Sequence, residues 1–205
     1  RRASESIVFA IEEPELFLHP HAQRQLAEAL ADISSSPSYQ VVVCSHSTHF
    51  VDLDRYRSIV VVTKNVPREG TRVRQCRHDL FEGDNAREKK QRFHLAAWIN
   101  PDRGELFFAK KVILVEGETE KTILPFLAAE LGCLDANVSG IDCGSKHNLP
   151  LYIALVNAFR LNYTVVHDED PLPDHVPPGW SADKIRSKQR TFDLNATIGS
   201  LVDDS

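Results

Sequence analysis

Apolar residues in this chain fall into short continuous runs, and each run is followed at once by acid or by a polar cluster. Ser6 to Ile11 (SIVFAI) has strand length and β-branched content, the pattern of a strand covered on both faces. After Pro20, Leu26, Ala29, Leu30 and Ile33 recur at i, i+3, i+4 and i+7. That stripe predicts an amphipathic helix, ended by the breaker Ser34-Ser35-Ser36-Pro37. Gln40 to Cys44 is then a second buried strand, and strand, helix, strand with short joins predicts a right-handed βαβ unit. Ser58 to Thr63 and Thr71 to Gln75 predict a hairpin around Asn65, Pro67 and Gly70, while Arg77 to Arg92 is charged and loosely patterned.

From Lys110 the α/β pattern starts again. Val112 to Val115 predicts a strand, and Glu118 to Leu131 a helix with Ile123, Leu127 and Leu131 on its buried face and Gly132 as its stop. Val138 to Asp142 is the next strand. Asn148 and Pro150 open a helix whose buried stripe is Leu151, Ala154, Leu155 and Ala158, and Asn162 to Val166 closes the series. A proline-rich loop (Pro171, Pro173, Pro177, Pro178, Gly179) precedes a helix over Ser181 to Val202 with Arg186, Lys188 and Arg190 exposed. The expected division is residues 1–75, a linker at 76–109, and a second domain at 110–205.

Composition narrows the classes. At 42% apolar residues the chain can bury a core, so a disordered chain is disfavoured. No run of eighteen apolar residues and no leader pattern is visible, so a cytoplasmic address without a membrane anchor is expected. Cys44, Cys76, Cys133 and Cys143 are scattered without a CxxC pair, and read as reduced structural thiols. With 24 basic and 29 acidic residues, nucleic-acid binding must come from local clusters or bound cations. The absence of Met and the opening on Arg1 read as a fragment of a longer chain.

In open parallel sheets ligands lie off the carboxyl ends of the strands. Here those ends carry Glu12 and Glu13, Ser45 and His46, Glu116, Asp142, and Asp168, Glu169 and Asp170. Glu116 ends a strand, Gly117 permits a tight turn and Glu120 lies one helical turn on, so both carboxylates can face one pocket. Asp168 and Asp170, two apart at a strand end, can project to one side. Four converging carboxylates repel unless a cation is bound or their pKa values rise, and an all-oxygen site suits Mg2+ or Mn2+. Two such ions can activate water and steady a leaving oxygen. The competing reading is a set of solvated loop ends, which is what most short acidic runs are.

The pair of motifs, a strand ending EGETE (Glu116 to Glu120) and about fifty residues later a strand ending DED (Asp168 to Asp170), resembles the Toprim domain of bacterial primases, topoisomerases and OLD-family (overcoming lysogenization defect) nucleases. The resemblance implies that Glu116, Glu120, Asp168 and Asp170 bind divalent metal, with Asp142 as a supporting acid. IDCGSKHNLP (Ile141 to Pro150) resembles the loop after the second Toprim strand, which implies that Gly144, Ser145 and Lys146 approach a phosphate. Lys146 would steady its charge and Ser145 would orient a phosphate or a metal ligand. A P-loop is rejected there, because three residues rather than four separate the glycines.

IVFAIEEPELFLHP (Ile7 to Pro20) resembles the Walker B strand and following loop of ABC-type ATPases. That resemblance implies a metal-associated Glu12, a water-activating Glu13, and His46 as the switch histidine that senses a γ-phosphate. No GxxxxGK[ST] occurs, so ATP turnover is expected only in a longer chain that carries one. HPH and SHSTH complete no zinc ligand set of known spacing.

The fold class expected is α/β: an ABC-ATPase-like C-terminal βαβ segment followed by a Toprim domain with a Rossmann-like, mostly parallel sheet. The resemblance implies a metal-dependent DNA endonuclease within an ATPase-coupled OLD-type protein, using two Mg2+ or Mn2+ ions, with DNA as partner and a homodimer formed through the ATPase part. The alternative is an ATP-regulated DNA-binding switch whose Toprim domain does not cut.

Overall fold

The structure is a computed structural model that describes residues 6–64, 70–81 and 101–203. The chain divides into two compact units, Arg1–Leu53 and Asp54–Ser205. The expected boundary at residue 75 therefore falls inside the second unit. The expected linker, 76–109, lies partly outside the described residues.

In the first unit β1 (Ile7–Glu12) and β2 (Tyr39–Cys44) pair in parallel, with Ile7 opposite Tyr39 and Glu12 opposite Cys44, and α1 (Pro20–Ser34) is the crossover. The sequence pattern places all three elements to within a residue or two. Their coverage differs from the expectation of a strand buried on both faces, since Ile7, Val8, Phe9 and Val42 are all exposed. Along β2 the half-buried Val41 and Val43 alternate with exposed Val42 and Cys44. The described residues of this unit supply one helix against the pair of strands, and one helix covers one face.

In the second unit β3 (Val61–Thr63) and β4 (Arg72–Arg74) form the predicted antiparallel hairpin, whose connecting residues 65–69 lie outside the described set. The Arg74 guanidinium donates to the main-chain carbonyls of Phe159 and Arg160, which ties the hairpin to the end of a helix below. The principal sheet has β5 (Lys111–Val115) at its centre, parallel to β6 (Val138–Asp142) on one side and β7 (Tyr163–Val166) on the other. Helix α2 (Glu118–Glu130) connects β5 to β6 and α3 (Leu149–Ala158) connects β6 to β7. The two crossovers run in opposite directions, so right-handedness sends the helices to opposite faces. Val112 and Leu114 on one side of β5 and Val115 on the other are all fully buried.

Two helix faces were misread by pattern alone. Ile123, Leu127 and Leu131, the expected buried stripe of α2, are exposed, and the half-buried positions are Glu120, Lys121, Leu124 and Ala128. Apolar residues occur on both sides of this helix, and the polar side that carries Glu120 is the one turned toward the strand ends. In helix α3 Leu149, Tyr152, Ile153, Leu155 and Val156, with Phe159 just after it, lose all contact with solvent, whereas Leu151, Ala154 and Ala158 of the expected stripe are only half-buried. Each such side chain contributes about 1.5–3 kcal/mol when fully buried. Against α3 lies α4 (Ala182–Asp203), where Ile198 is buried and the Leu201 carbonyl accepts from Asn157 Nδ2 at 2.8 Å.

A charged pair sits inside this core. Pro101–Phe107 forms a 3-10 run that carries Arg103, 4% exposed, to Asp142 at the end of β6, 5% exposed. Arg103 Nε donates to the Asp142 carbonyl at 2.6 Å and Nη2 to Oδ2 at 3.2 Å, while the guanidinium lies 5.7 Å from the Tyr152 ring centre. Asp142 Oδ1 accepts from Gly144 N at 2.6 Å. Both charges are desolvated, so removing one weakens the compensation of the other inside the core. Arg103→Ala is expected to destabilise the protein by about 3–5 kcal/mol in chemical denaturation, and Arg103→Ala/Asp142→Ala by less than the sum of the two single changes. Additive losses would show that the two groups do not interact.

Candidate functional site

The carboxyl ends of β5, β6 and β7 form one rim, and the acids foreseen at the ends of these three strands stand on it. Glu116 follows β5 directly, and its Oε1 accepts from the backbone N of Asp168 at 2.8 Å. This bond spans 52 residues of sequence and brings the first motif against the second. Asp168 is itself exposed and Glu116 half-buried. Glu120, at the third position of α2, turns back to accept from Gly117 N at 3.1 Å and so satisfies one of the free N–H groups at the helix start.

Asp170 faces two ammonium groups. Lys146 Nζ lies 3.2 Å from Oδ2 and Lys188 Nζ 3.6 Å from Oδ1. The hydrogen bond from Lys146, and then the charges of both lysines, hold the Asp170 carboxyl below the ordinary carboxylate range against the opposing effect of partial burial. Its backbone is left-handed, with φ of 49°, a conformation uncommon outside glycine that aspartate adopts more readily than most residues. The turn is gripped at each residue: Asp168 O accepts from Lys146 Nζ, and Glu169 O accepts from Asn195 Nδ2 at 2.6 Å.

The loop Asp142–Lys146 is arranged differently from its expected use as a phosphate cradle. Gly144 takes a left-handed φ of 81° that glycine adopts freely, but its N–H is engaged by Asp142. Ser145 is half-buried. The Lys146 side chain is only 2% exposed and turned to the acidic turn, so it reaches that turn rather than an incoming phosphate. Asn148 Nδ2 donates to Cys143 O at 2.8 Å instead of capping α3 by its side chain. Burial pushes the Cys143 thiol and the Tyr152 phenol well up, so both stay neutral.

The donors on this rim are carboxylate oxygens, the kind that hard divalent cations take. The expected four-way convergence is divided in this structure. Glu116 and Asp168 stand together, Glu120 caps its own helix, and Asp170 is held by lysines. Among the described residues no three His, Cys, Asp or Glu side chains already surround one point. The residues fit a hard divalent cation in their chemistry.

The corresponding rim of the first unit carries Glu12, Glu13 and His46. Glu12 ends β1, and Glu13 has a left-handed φ of 46° with its N–H donated to Cys44 O at 2.7 Å. His46 Nε2 lies 4.0 Å from Glu13 Oε1, with the imidazole largely in solvent. The loop is fixed by a residue that motif reading passed over. Glu15 accepts from His46 N at 2.7 Å and from the Ser45 hydroxyl at 2.8 Å. Burial alone would raise the Glu15 pKa, but these hydrogen bonds outweigh it and hold it below the usual value. Gln23 extends the brace, accepting from the Ser47 hydroxyl at 2.7 Å and donating to Leu18 O at 2.9 Å.

Arg103, Lys188 and Asn195 were likewise missed as site residues, and Lys188 was read as an exposed surface charge. The one sequence signal for the last two is their spacing: seven residues on a helix put both on one face.

Comparison with known proteins matches two separate segments of the chain. Residues 107–170 match the family model described as the overcoming lysogenization defect protein-like TOPRIM domain, and residues 1–51 match an AAA ATPase domain. The chain is 32% identical over 80% of its length to the OLD nuclease of Thermus scotoductus, and 28% identical over 82% to the Old nuclease of Escherichia phage P2. It is 27% identical over 97% of its length to Endonuclease GajA of Bacillus cereus. The chain spans 31%, 28% and 31% of these three relatives, respectively. An ATPase segment followed by a Toprim rim, both matched in the same order, places the chain in the OLD (overcoming lysogenization defect) family.

Proposed function

We propose that the second unit is the metal-dependent nuclease site of an ATPase-coupled protein and that it hydrolyses DNA phosphodiesters. The observation that carries this reading is the bond between the Glu116 carboxylate and the Asp168 backbone, which joins two acidic motifs distant in sequence at one strand rim. The names of the relatives, OLD nuclease and Endonuclease GajA, support it. Divalent cations, Mg2+ or Mn2+ and two in number on this reading, would be held by these carboxylates and would supply charge that acidifies water and neutralises the leaving oxygen.

The chain's own residues define the rest. The Glu116 carboxylate is bonded to the Asp168 backbone, and Glu120 and Asp170 complete the set once Glu120 releases its helix start and Asp170 releases Lys188. Asp142 works from behind: paired with Arg103, it shapes the loop that delivers Lys146. Lys146 is a positioning residue that fixes the Asp168–Asp170 turn from below, since its buried ammonium has an acid and a carbonyl there as partners. Gly144 and Ser145 line the loop's solvent side, where a phosphate would pass. In the first unit Glu12, Glu13 and His46 are assigned to nucleotide handling in a chain that also carries a phosphate-binding loop, with pairing of two such heads as the implied dimer.

Plasmid nicking in Mg2+ or Mn2+ tests the site. Glu116→Gln and Asp168→Asn are each expected to lower the rate by at least about a hundredfold while leaving the fold intact by circular dichroism. Undiminished cleavage by both variants would reject the assignment. DNA binding that follows nucleotide state, with no cleavage by the wild type, would instead favour a non-cutting switch.

Acid titration tests the grip on Asp170. Its folded pKa lies below that of an ordinary aspartate, so the stability it contributes is complete above the ordinary value and is lost as pH falls through the lower folded pKa. In urea denaturation Asp170→Asn is expected to be less stable than wild type near neutral pH, and the difference is expected to close below about pH 4. A difference that stays constant with pH would mean that the carboxylate charge plays no part.

A further inference from the structure

Both oxygens of Asp170 are engaged by lysines, but the two lysines are not equivalent. Lys146 comes from the loop before α3 and is 2% exposed; its ammonium also donates to Asp168 O. Moving it away from Asp170 would leave a desolvated charge without a carboxylate partner. Lys188 comes from α4, beyond residue 170 where the Toprim match ends, and its side chain is 45% exposed. It can swing into water, and the loss is that of a partly solvated ion pair. Asn195, two helical turns further along α4, holds Glu169 O and keeps the helix against the turn whichever way Lys188 points.

We propose that Lys188 is a displaceable counter-charge on Asp170, one that a divalent cation must evict to gain that carboxylate, so that α4 sets the metal affinity of the rim. The inference rests on the metal-site reading given above. Lys146 and Asn195 keep the turn in place during the exchange, and only Lys188 leaves. Its positive charge near the incoming cation lowers affinity until it does.

Isothermal calorimetry with MgCl2 and MnCl2 on the intact protein, at constant ionic strength and without DNA, provides the test. Lys188→Gln is expected to bind about two- to fivefold tighter than wild type, the range of a partly exposed ion pair expressed as an affinity ratio. Lys188→Arg retains the charge and is expected to keep the wild-type affinity. Arg186→Gln removes an equal charge from the same helix, where Arg186 pairs with Asp183 rather than Asp170, and is expected to change nothing. Equal or weaker binding by Lys188→Gln overturns the proposal, as does an equal gain in Arg186→Gln, which would indicate a general charge effect. No binding by wild type or by Lys188→Gln would instead overturn the metal reading on which the proposal rests.

Discussion

Acidic side chains brought together at the end of a parallel sheet repel one another, and the second unit of this protein is organised around containing that repulsion. Two carboxylates about 4 Å apart cost about 4 kcal/mol at an intermediate dielectric. The rim carries Glu116, Asp142, Asp168, Glu169 and Asp170. Two buried cations answer them: Arg103 beneath Asp142 and Lys146 beneath the Asp168–Asp170 turn. Each arrives on a segment other than the strand whose acid it neutralises. The charge pairing therefore also fixes how the 3-10 run, the β6–α3 loop and the β7 turn meet.

Those cations act in series. Arg103 bonds both the carbonyl and the carboxylate of Asp142, Asp142 in turn holds Gly144 N, and the loop so shaped presents Lys146 to the acidic turn. A disturbance at Arg103 would reach Asp170 through three residues of backbone. This is why a residue outside the matched Toprim segment bears on the geometry of its second motif.

The order and limits of the elements were legible because their signals are local. Pro20 at the start of α1, the serine-proline breaker after it, Gly132 with φ of 67° after α2 and Pro150 in the first turn of α3 each act within a turn of chain. Which face is buried depends on neighbours that sequence does not display. Helix α2 carries apolar residues on two sides, so Ile123, Leu127 and Leu131 competed with Leu124 and Ala128, and the sheet chose the latter. The SIVFAI run reads as a doubly covered strand although the described residues cover it less. At the site, placement of acids at strand ends followed from the topology of open sheets. Their partners did not: Arg103 lies 39 residues from Asp142, and Lys188 belongs to a helix whose pattern says only that it is basic.

The two units divide their acids in the same way. At each rim some carboxylates hold the backbone through hydrogen bonds and others are left more accessible. Glu15 is engaged by His46 N and the Ser45 hydroxyl, while Glu12 and Glu13 stay at the surface. Asp142 is engaged by Arg103 and Gly144, while Asp168 is exposed and Glu116 half-buried with a single backbone donor. A carboxylate that accepts several hydrogen bonds from a folded loop is held in one direction, which suits a support. A carboxylate with one backbone donor and solvent beyond it keeps free lone pairs and freedom to rotate, which suits a ligand. Counting acids at a strand end therefore overstates the reactive ones, and the hydrogen bonds each already makes are what separate the two kinds.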